Sequence, residues 1–295
     1  MVIDRSLARA RDVILRTKRA CIAVDEPGRT QLKHLLAGQR SDLTLDRAAL
    51  VLATIEYPGL PMAASLRTLD VLAEEIRDRT RNAQNGHEFI SATNQFLFHE
   101  MGFRGNAEDY YNPHNSCLNE VLKQRSGIPI SLSVMYLEIA RRLERPVFGI
   151  GLPGHFLVQY NDGHYATFID PFQGGVLLSA EECYQMASVK HPDPRVLQPV
   201  DNRQILFRMI NNLRGIYFSR RLYRKALQVM DLLVDATPEL ADHYKQRAML
   251  HMQLQQMGAA RADLERYLEM VPDAEDRAER EAQIRTAVRW LASLN

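Results

Sequence analysis

Apolar residues recur at helical spacing from Leu45 to about Asn82, where Asp46 and Arg47 lead into Ala48, Ala49, Leu50, Val51, Leu52 and Ala53. Tyr57-Pro58 stops this first helix, because proline disfavours helical backbone in the residue before it. A second helix carries an apolar stripe of Leu66, Leu69, Val71, Leu72 and Ile76, with Glu74, Glu75, Arg77 and Asp78 on its wet side. Beyond a polar linker from Asn82 to His87, the residues Phe89, Ile90, Phe96, Leu97, Phe98 and Met101 predict a third helix, stopped at Gly102. Asn112 to Ser116 read as a turn. Asn115 or Ser116 then caps a short helix from Cys117 to Arg125, ended by Gly127. Pro129 opens a core helix, Ile130 to Leu143, whose apolar positions Leu132, Met135, Tyr136, Ile139, Ala140 and Leu143 step by threes and fours.

After Pro146 the period changes. Short apolar runs at Val147 to Gly151, Phe156 to Tyr160, Tyr165 to Ile169 and Val176 to Leu178, each bounded by Gly, Pro, Asn or Asp, predict a small antiparallel sheet. Helices gathered ahead of strands indicate an α+β domain, not an alternating doubly wound one. A helix from Ala180 to Ala187 and the proline-bearing linker KHPDPRVLQP follow. From Asn202 onward the pattern is helical throughout, and it repeats. Pro238 and Pro272 stand 34 residues apart, and the same offset pairs Ala226 with Ala260, Ile216 with Leu250, Asp231 with Glu265 and Leu233 with Tyr267. A 34-residue, two-helix period is the tetratricopeptide signature. A last helix, Glu275 to Leu294, is expected to cap the stack with Ile284, Val288 and Leu291 inward. The organisation expected is an arm over residues 1–44, helical or loosely ordered; an α+β domain over 45–190; a linker over 191–201; and an all-α repeat domain over 202–295.

Charge narrows the range of partners. Lys and Arg number 37 against 36 Asp and Glu, so no broad basic field exists to hold a nucleic-acid backbone. No run approaches the ~20 apolar residues that cross a bilayer, and neither nucleic acid nor membrane is expected as a partner. Cys21, Cys117 and Cys183 are odd in number and widely spaced, which indicates neither a disulfide framework nor a zinc site and suits a reducing cytoplasm. The N-terminal arginines Arg5, Arg9, Arg11 and Arg16 raise an organelle-targeting reading, but Asp4 and Asp12 do not fit the acid-poor composition of such segments.

The candidate chemistry lies in LPGHFLVQYNDGHYATFIDPF, residues 152 to 172. Asn161-Asp162-Gly163 joins two runs as a hairpin, so His155 and Asp170 face each other on adjacent strands. Histidine supplies a base near neutral pH and a carboxylate fixes its tautomer. The structural alternative is a hydrogen-bonded core histidine and a turn-capping aspartate. Two residues are candidate nucleophiles. Cys117, in the first turn of a helix capped by Ser116, gains from the helix dipole; its alternative role is as a small buried apolar side chain. Ser131, in the first turn of the core helix, is otherwise an N-terminal hydrogen-bonder. His155, His164 and Asp170 form a weaker metal-ligand set, and no cofactor is expected. Tyr110, Tyr111 and Phe103, next to Arg104 and Glu108, read as a contact surface or as core.

The motifs NPHNSCLNEVL, GIPISLS, PGHF and IDPF, with the repeats behind them, resemble the SirB-type bacterial family over residues 45 to 295. That resemblance implies a transglutaminase-like, papain-like domain followed by tetratricopeptide repeats. It also implies a cysteine at the start of the core helix, a histidine on one strand and an aspartate on the next. His155 and Asp170 fall at the last two positions. The cysteine position lands near Pro129 to Ser131, where no cysteine stands, and Cys117 lies about a dozen residues upstream. Two functions follow as expectations. One is a protein or peptide-binding module that has lost its nucleophile, with Asn211, Asn212, Arg214, Lys245 and Arg247 in the repeat groove. The other is a hydrolase or acyltransferase using Cys117 or Ser131 with His155 and Asp170.

Overall fold

A computed structural model of the chain describes residues 26–39, 42–189 and 192–293. The described residues form two units: 26–29 with 42–189 and 192–209, and 30–39 with 210–293. Of the expected arm, residues 1–25 lie outside the described residues, including Cys21 and the N-terminal arginines, while Glu26–Leu36 forms helix α1. Among the described residues, no helix is long and apolar enough to cross a membrane.

In the first unit, helices α2 (Leu45–Ala53), α3 (Met62–Arg79) and α4 (Gly86–Asn94) follow the apolar stripes. On α3, Leu66 and Val71 are only half-buried, and Ser65, Thr68 and Ala73 share the buried face with Leu69, Leu72 and Ile76. α4 does not run on unbroken; it continues as a π-helical segment, Gln95–Glu100. Strand β1 (Arg104–Gly105) pairs in parallel with β2 (Ser126–Gly127).

Between those strands the expected helix start is displaced. Asn112 accepts a hydrogen bond from the His114 N–H and closes a 3-10 turn, Pro113–Ser116, so helix α5 spans Leu118–Gln124 and Cys117 is its N-cap. Ser116 therefore does not cap this helix, and Cys117 lies before its first turn. Arg125, in the left-handed conformation at φ 56°, ends α5 ahead of Gly127.

Helix α6 (Pro129–Arg142) is the centre of the unit, and most of its residues are buried. Its far end is held by Arg142, which pairs with Asp46 at 2.6 Å, Asp70 at 2.7 Å and Glu138 at 3.0 Å. β3 (Val147–Leu152), β4 (His155–Asn161), β5 (Ala166–Asp170) and β6 (Val176–Leu178) form an antiparallel sheet. Pro199–Val200, inside the segment expected as a linker, adds β7 at the other edge, in the order β6-β5-β4-β3-β7. One face of the sheet carries Phe156, Val158 and Tyr160 toward the helices, with Tyr160 and Phe89 rings 5.9 Å apart. The other carries Ile150, Leu152, Leu157 and Phe168 against Cys183 and Ala187 of the α7 (Ala180–Met186) segment and Leu197 of a 3-10 turn.

The second unit contains the later part of α8 (Asn202–Ser219), then α9 (Tyr223–Ala236), α10 (Ala241–Gln253), α11 (Met257–Met270) and α12 (Arg277–Ala292). Ala226 and Ala260, matched by the 34-residue offset, are both fully buried. Pro238 and Pro272 each follow the end of a helix. In α12 the inward face differs from expectation: Ala287 is buried, Ile284 and Leu291 are half-buried, and Val288 is 41% exposed. Leu294, the expected end of this helix, lies outside the described residues.

Candidate functional site

The site is built by chain reversal. α6 has 14 residues and β3 has 6, lengths of roughly 21 and 20 Å, so β3 returns the chain to the level of the first turn of α6. Pro153-Gly154 closes the β3–β4 hairpin, with Gly154 at φ 70°, the left-handed conformation that a type II turn requires at its second central residue. His155 is thereby the first residue of β4, opposite Leu152. β5 pairs with β4 through Val158 and Ile169. One further step sets Asp170 beside Leu157, on the face and at the end where His155 stands.

His155 Nε2 lies 2.8 Å from Asp170 Oδ2. The other carboxylate oxygen accepts the backbone N–H groups of Phe172 at 2.9 Å and Gln173 at 3.2 Å. Asp170 is fully buried, and the His155 side chain is 16% exposed. Both aspartate oxygens are thus engaged, and a neutral His155 that donates from Nε2 keeps Nδ1 as a base or acceptor. Phe172 stands edge-on to the imidazole at 6.3 Å, and Tyr110 packs on Phe172 at 6.1 Å and on Tyr111 at 5.3 Å. A Cβ at Gly105 would fall 2.6 Å from the Phe172 ring, so glycine there lets β1 approach.

The two candidate nucleophiles are otherwise engaged. Ser131 Oγ, fully buried, donates to the Asn115 carbonyl at 2.6 Å and accepts the Ile128 N–H at 3.1 Å. Its hydrogen bond goes to a backbone carbonyl and not to an imidazole. Cys117 is 1% exposed, with Sγ 3.5 Å from the Pro113 carbonyl. Tyr57 and the carboxylates of Glu56 and Glu120 stand in its neighbourhood, and burial raises the Tyr57 phenol well above its ordinary range. Cys183 is the thiol that interacts with Asp170, and burial, with Glu182 and Asp170, pushes it up to about 11. It is therefore protonated near neutral pH.

His164 is exposed in the β4–β5 turn, at the end of β4 remote from His155. Seven strand residues span roughly 20 Å, so His155, His164 and Asp170 do not assemble as a metal set. Phe103 is buried, Tyr110 half-buried and Tyr111 69% exposed, with Arg104 and Glu108 exposed; the aromatic run is part core and part surface. A polar cavity of about 370 Å3, bordered by Arg104, His114, Glu120 and Ser126 among others, opens above the NPHNS turn.

In the repeats, Asn211 is exposed and Asn212 half-buried. Arg214 reaches Gln246 at 3.5 Å. Lys245 pairs with Asp242 and Asp276, both at 3.4 Å, and Arg247 with Asp263 at 2.7 Å and Asp231 at 3.0 Å. Both charges are engaged within the unit. Two residues beside the His155–Asp170 pair escaped the sequence reading. Phe172 stands only as the end of the IDPF motif, and for Arg208, which donates to the His155 carbonyl at 2.5 Å, a charge between Phe207 and Met209 in a run of apolar residues was the available signal.

Comparison with known proteins accords with this architecture. A family model described as the Transglutaminase-like superfamily matches residues 63–211, and a Tetratricopeptide repeat model matches residues 213–285. A UPF0162 protein of Xylella fastidiosa (strain 9a5c) is 34% identical over 238 residues, 78% of this chain and 85% of that protein. Protein SirB1 of Salmonella typhimurium is 25% identical over 224 residues, 74% of this chain and 82% of its own length. F-box only protein 21 of Homo sapiens is 32% identical over 181 residues, 57% of this chain and 28% of that protein. The SirB-type resemblance of the motifs thus extends to sequence, fold and repeats together. The chain belongs to the family of UPF0162 proteins and SirB1, in which a transglutaminase-like domain precedes tetratricopeptide repeats.

Proposed function

We propose that this chain is a transglutaminase-like protein without a working nucleophile, and that it acts in the cytoplasm as a protein- or peptide-binding module together with its repeats. The observation that carries this reading is Ser131. It sits in the α6 turn where the resemblance puts a cysteine, and its hydroxyl is spent on the Asn115 carbonyl. Cys117, the other candidate, is buried against the Pro113 carbonyl. Stacked helix pairs present grooves suited to extended peptides or helices, and such repeats generally mediate protein–protein contact. Asn211, Asn212 and Arg214 are the repeat residues best placed to contribute, since Lys245 and Arg247 are engaged in ion pairs.

The intact His155–Asp170 hydrogen bond supports a second reading, a hydrolase or acyltransferase that uses Cys117 or Ser131 after rearrangement. Intact-mass analysis of the full chain after incubation with an activated acyl-peptide ester distinguishes the two. The binding reading expects no covalent acyl adduct beyond that of a His155→Ala variant. An adduct on Cys117 or Ser131 that disappears in His155→Ala overturns it.

A further inference from the structure

Charges of both signs face the polar cavity above the NPHNS turn without meeting each other. Arg104 borders it from β1, and Glu120 borders it from the first turn of α5. Among the described residues, the Arg104 side chain has neither an ion pair nor a hydrogen bond. Glu120 is buried, and the side-chain donors that reach it are Lys123 at 3.3 Å and Gln124 at 3.2 Å, both exposed residues of its own helix. An ion pair with an exposed lysine contributes little. A carboxylate offers about four acceptor positions, so Glu120 has room for a further donor from the cavity.

Strand alternation sets this arrangement. Gly105 turns toward Phe172, on the His155 side, so Arg104 and Asn106 turn the other way and border the cavity. The Arg104 backbone pairs with Ser126, beyond the C-terminal end of α5, and the helix rises roughly 8 Å from Glu120 to Arg125, so the two charges enter at different levels. The wall between them is fixed. Asn106 donates to Asn115 Oδ1 at 3.1 Å, and Asn115 donates to the Asp109 carbonyl at 2.7 Å. The Ser126 hydroxyl and the Gln124 side-chain carbonyl border the same space and have no partner among the described residues. A volume of about 370 Å3 lies at the small end of ligand cavities.

We propose that this cavity binds a free amino acid as its zwitterion, with the carboxylate on Arg104, the ammonium on Glu120 and a polar side chain beside Ser126 and Gln124. Fixed charges of opposite sign at separate levels call for a ligand that carries both. A plain anion would leave the Glu120 carboxylate facing it, and a plain cation would face Arg104. The unpaired guanidinium offers a carboxylate its planar, two-point geometry. No aliphatic side chain borders the cavity, so a polar amino acid fits and an apolar one does not. The His114 imidazole is the one ring at its border, which leaves no broad platform for stacking a nucleobase. The site adjoins the start of α6, because Asn115 holds the Ser131 hydroxyl through its carbonyl. It lies apart from the His155–Asp170 pair and stands under either reading of that pair.

The test titrates the full-length protein with L-serine, L-asparagine, L-glutamine, L-leucine, glucose and inorganic phosphate, read by calorimetry, with amide chemical shifts of residues 104–126 locating the site. At least one of the three polar amino acids should bind saturably. Its carboxamide, which lacks the carboxylate, and its N-acetyl derivative, which lacks the ammonium, should each bind at least about tenfold more weakly. Arg104→Gln, a change at an exposed side chain, should keep the melting temperature and bind the amino acid and its carboxamide alike. Glu120→Gln should bind the amino acid and its N-acetyl derivative alike, and Arg104→Gln decides alone should that second variant fail to fold. Saturation by none of the three, equal binding of the derivatives, preference for leucine, glucose or phosphate, shifts confined to residues outside 104–126, or a tenfold preference that persists in Arg104→Gln overturns the proposal.

Discussion

Replacing Ser131 with alanine removes one hydroxyl and leaves two backbone groups without partners. The Asn115 carbonyl loses a 2.6 Å donor, and the Ile128 N–H loses its acceptor at the N-terminus of α6, both in a region closed to water. A stranded buried polar group costs about 1–3 kcal/mol, and loss of a helix N-terminal bond about 1 kcal/mol. These contributions overlap, so the expected destabilisation of the first unit is about 2–4 kcal/mol. With a urea m-value of about 2 kcal/mol/M, the midpoint should fall by roughly 1–2 M. The single tryptophan, Trp290, lies in α12 of the second unit, so its fluorescence does not report this change. Hydrogen exchange of peptides covering residues 127–142 in the full-length protein does. An effect below about 0.5 kcal/mol would contradict the engaged state of this hydroxyl, because a hydroxyl free to act as a nucleophile leaves no backbone group stranded when removed.

Three further outcomes are expected. Burial raises the Asp46 pKa, but hydrogen bonds from Thr44 and Arg142 and the Arg142 charge lower it further, and the net direction is down. Its contribution is therefore present above the unfolded value near 4 and is lost as pH falls through the folded value. Arg142→Met should cost about 3 kcal/mol at pH 7, since Asp46 and Glu138 are then left buried without Arg142, and should narrow toward wild type below about pH 4 in urea titrations. Arg247→Met, which strands the buried Asp263, should destabilise the second unit by about 2–4 kcal/mol, read directly by Trp290 fluorescence; an unchanged midpoint contradicts the ion-pair assignment. With its pKa near 11, about one Cys183 thiol in a thousand is ionised at pH 8, so iodoacetamide should label it only after unfolding, as peptide mass mapping will show.

The reach of the sequence differs from element to element for physical reasons. The repeats were readable because Ala226 and Ala260, and Pro238 and Pro272, mark the same packing and stop positions 34 residues apart. The sheet was readable because period-two runs are bounded by turn residues, and Pro153-Gly154 admits few conformations. The start of α5 was not, because Asn112 captures the chain into a 3-10 turn before Ser116 can cap a helix, and that competition is local geometry. β7 was hidden because two residues carry no periodicity; only the edge of β3 makes Pro199–Val200 a strand. Val288 fits an inward stripe by spacing, yet the small Ala287 takes the contact. The His155–Asp170 bond was legible as a pair of strand positions, while Arg208, 53 residues from His155, required the fold.

Whether the chain lacks a working nucleophile is read from the pH–rate profile for alkylation of Cys117 in the folded full-length protein, compared with His155→Ala. A buried thiol held against the Pro113 carbonyl should react slowly, with superimposable profiles for the two proteins. A fast reaction whose rate rises at or below pH 7 and falls about tenfold or more in His155→Ala would show a thiolate–imidazolium pair, and with it a working nucleophile.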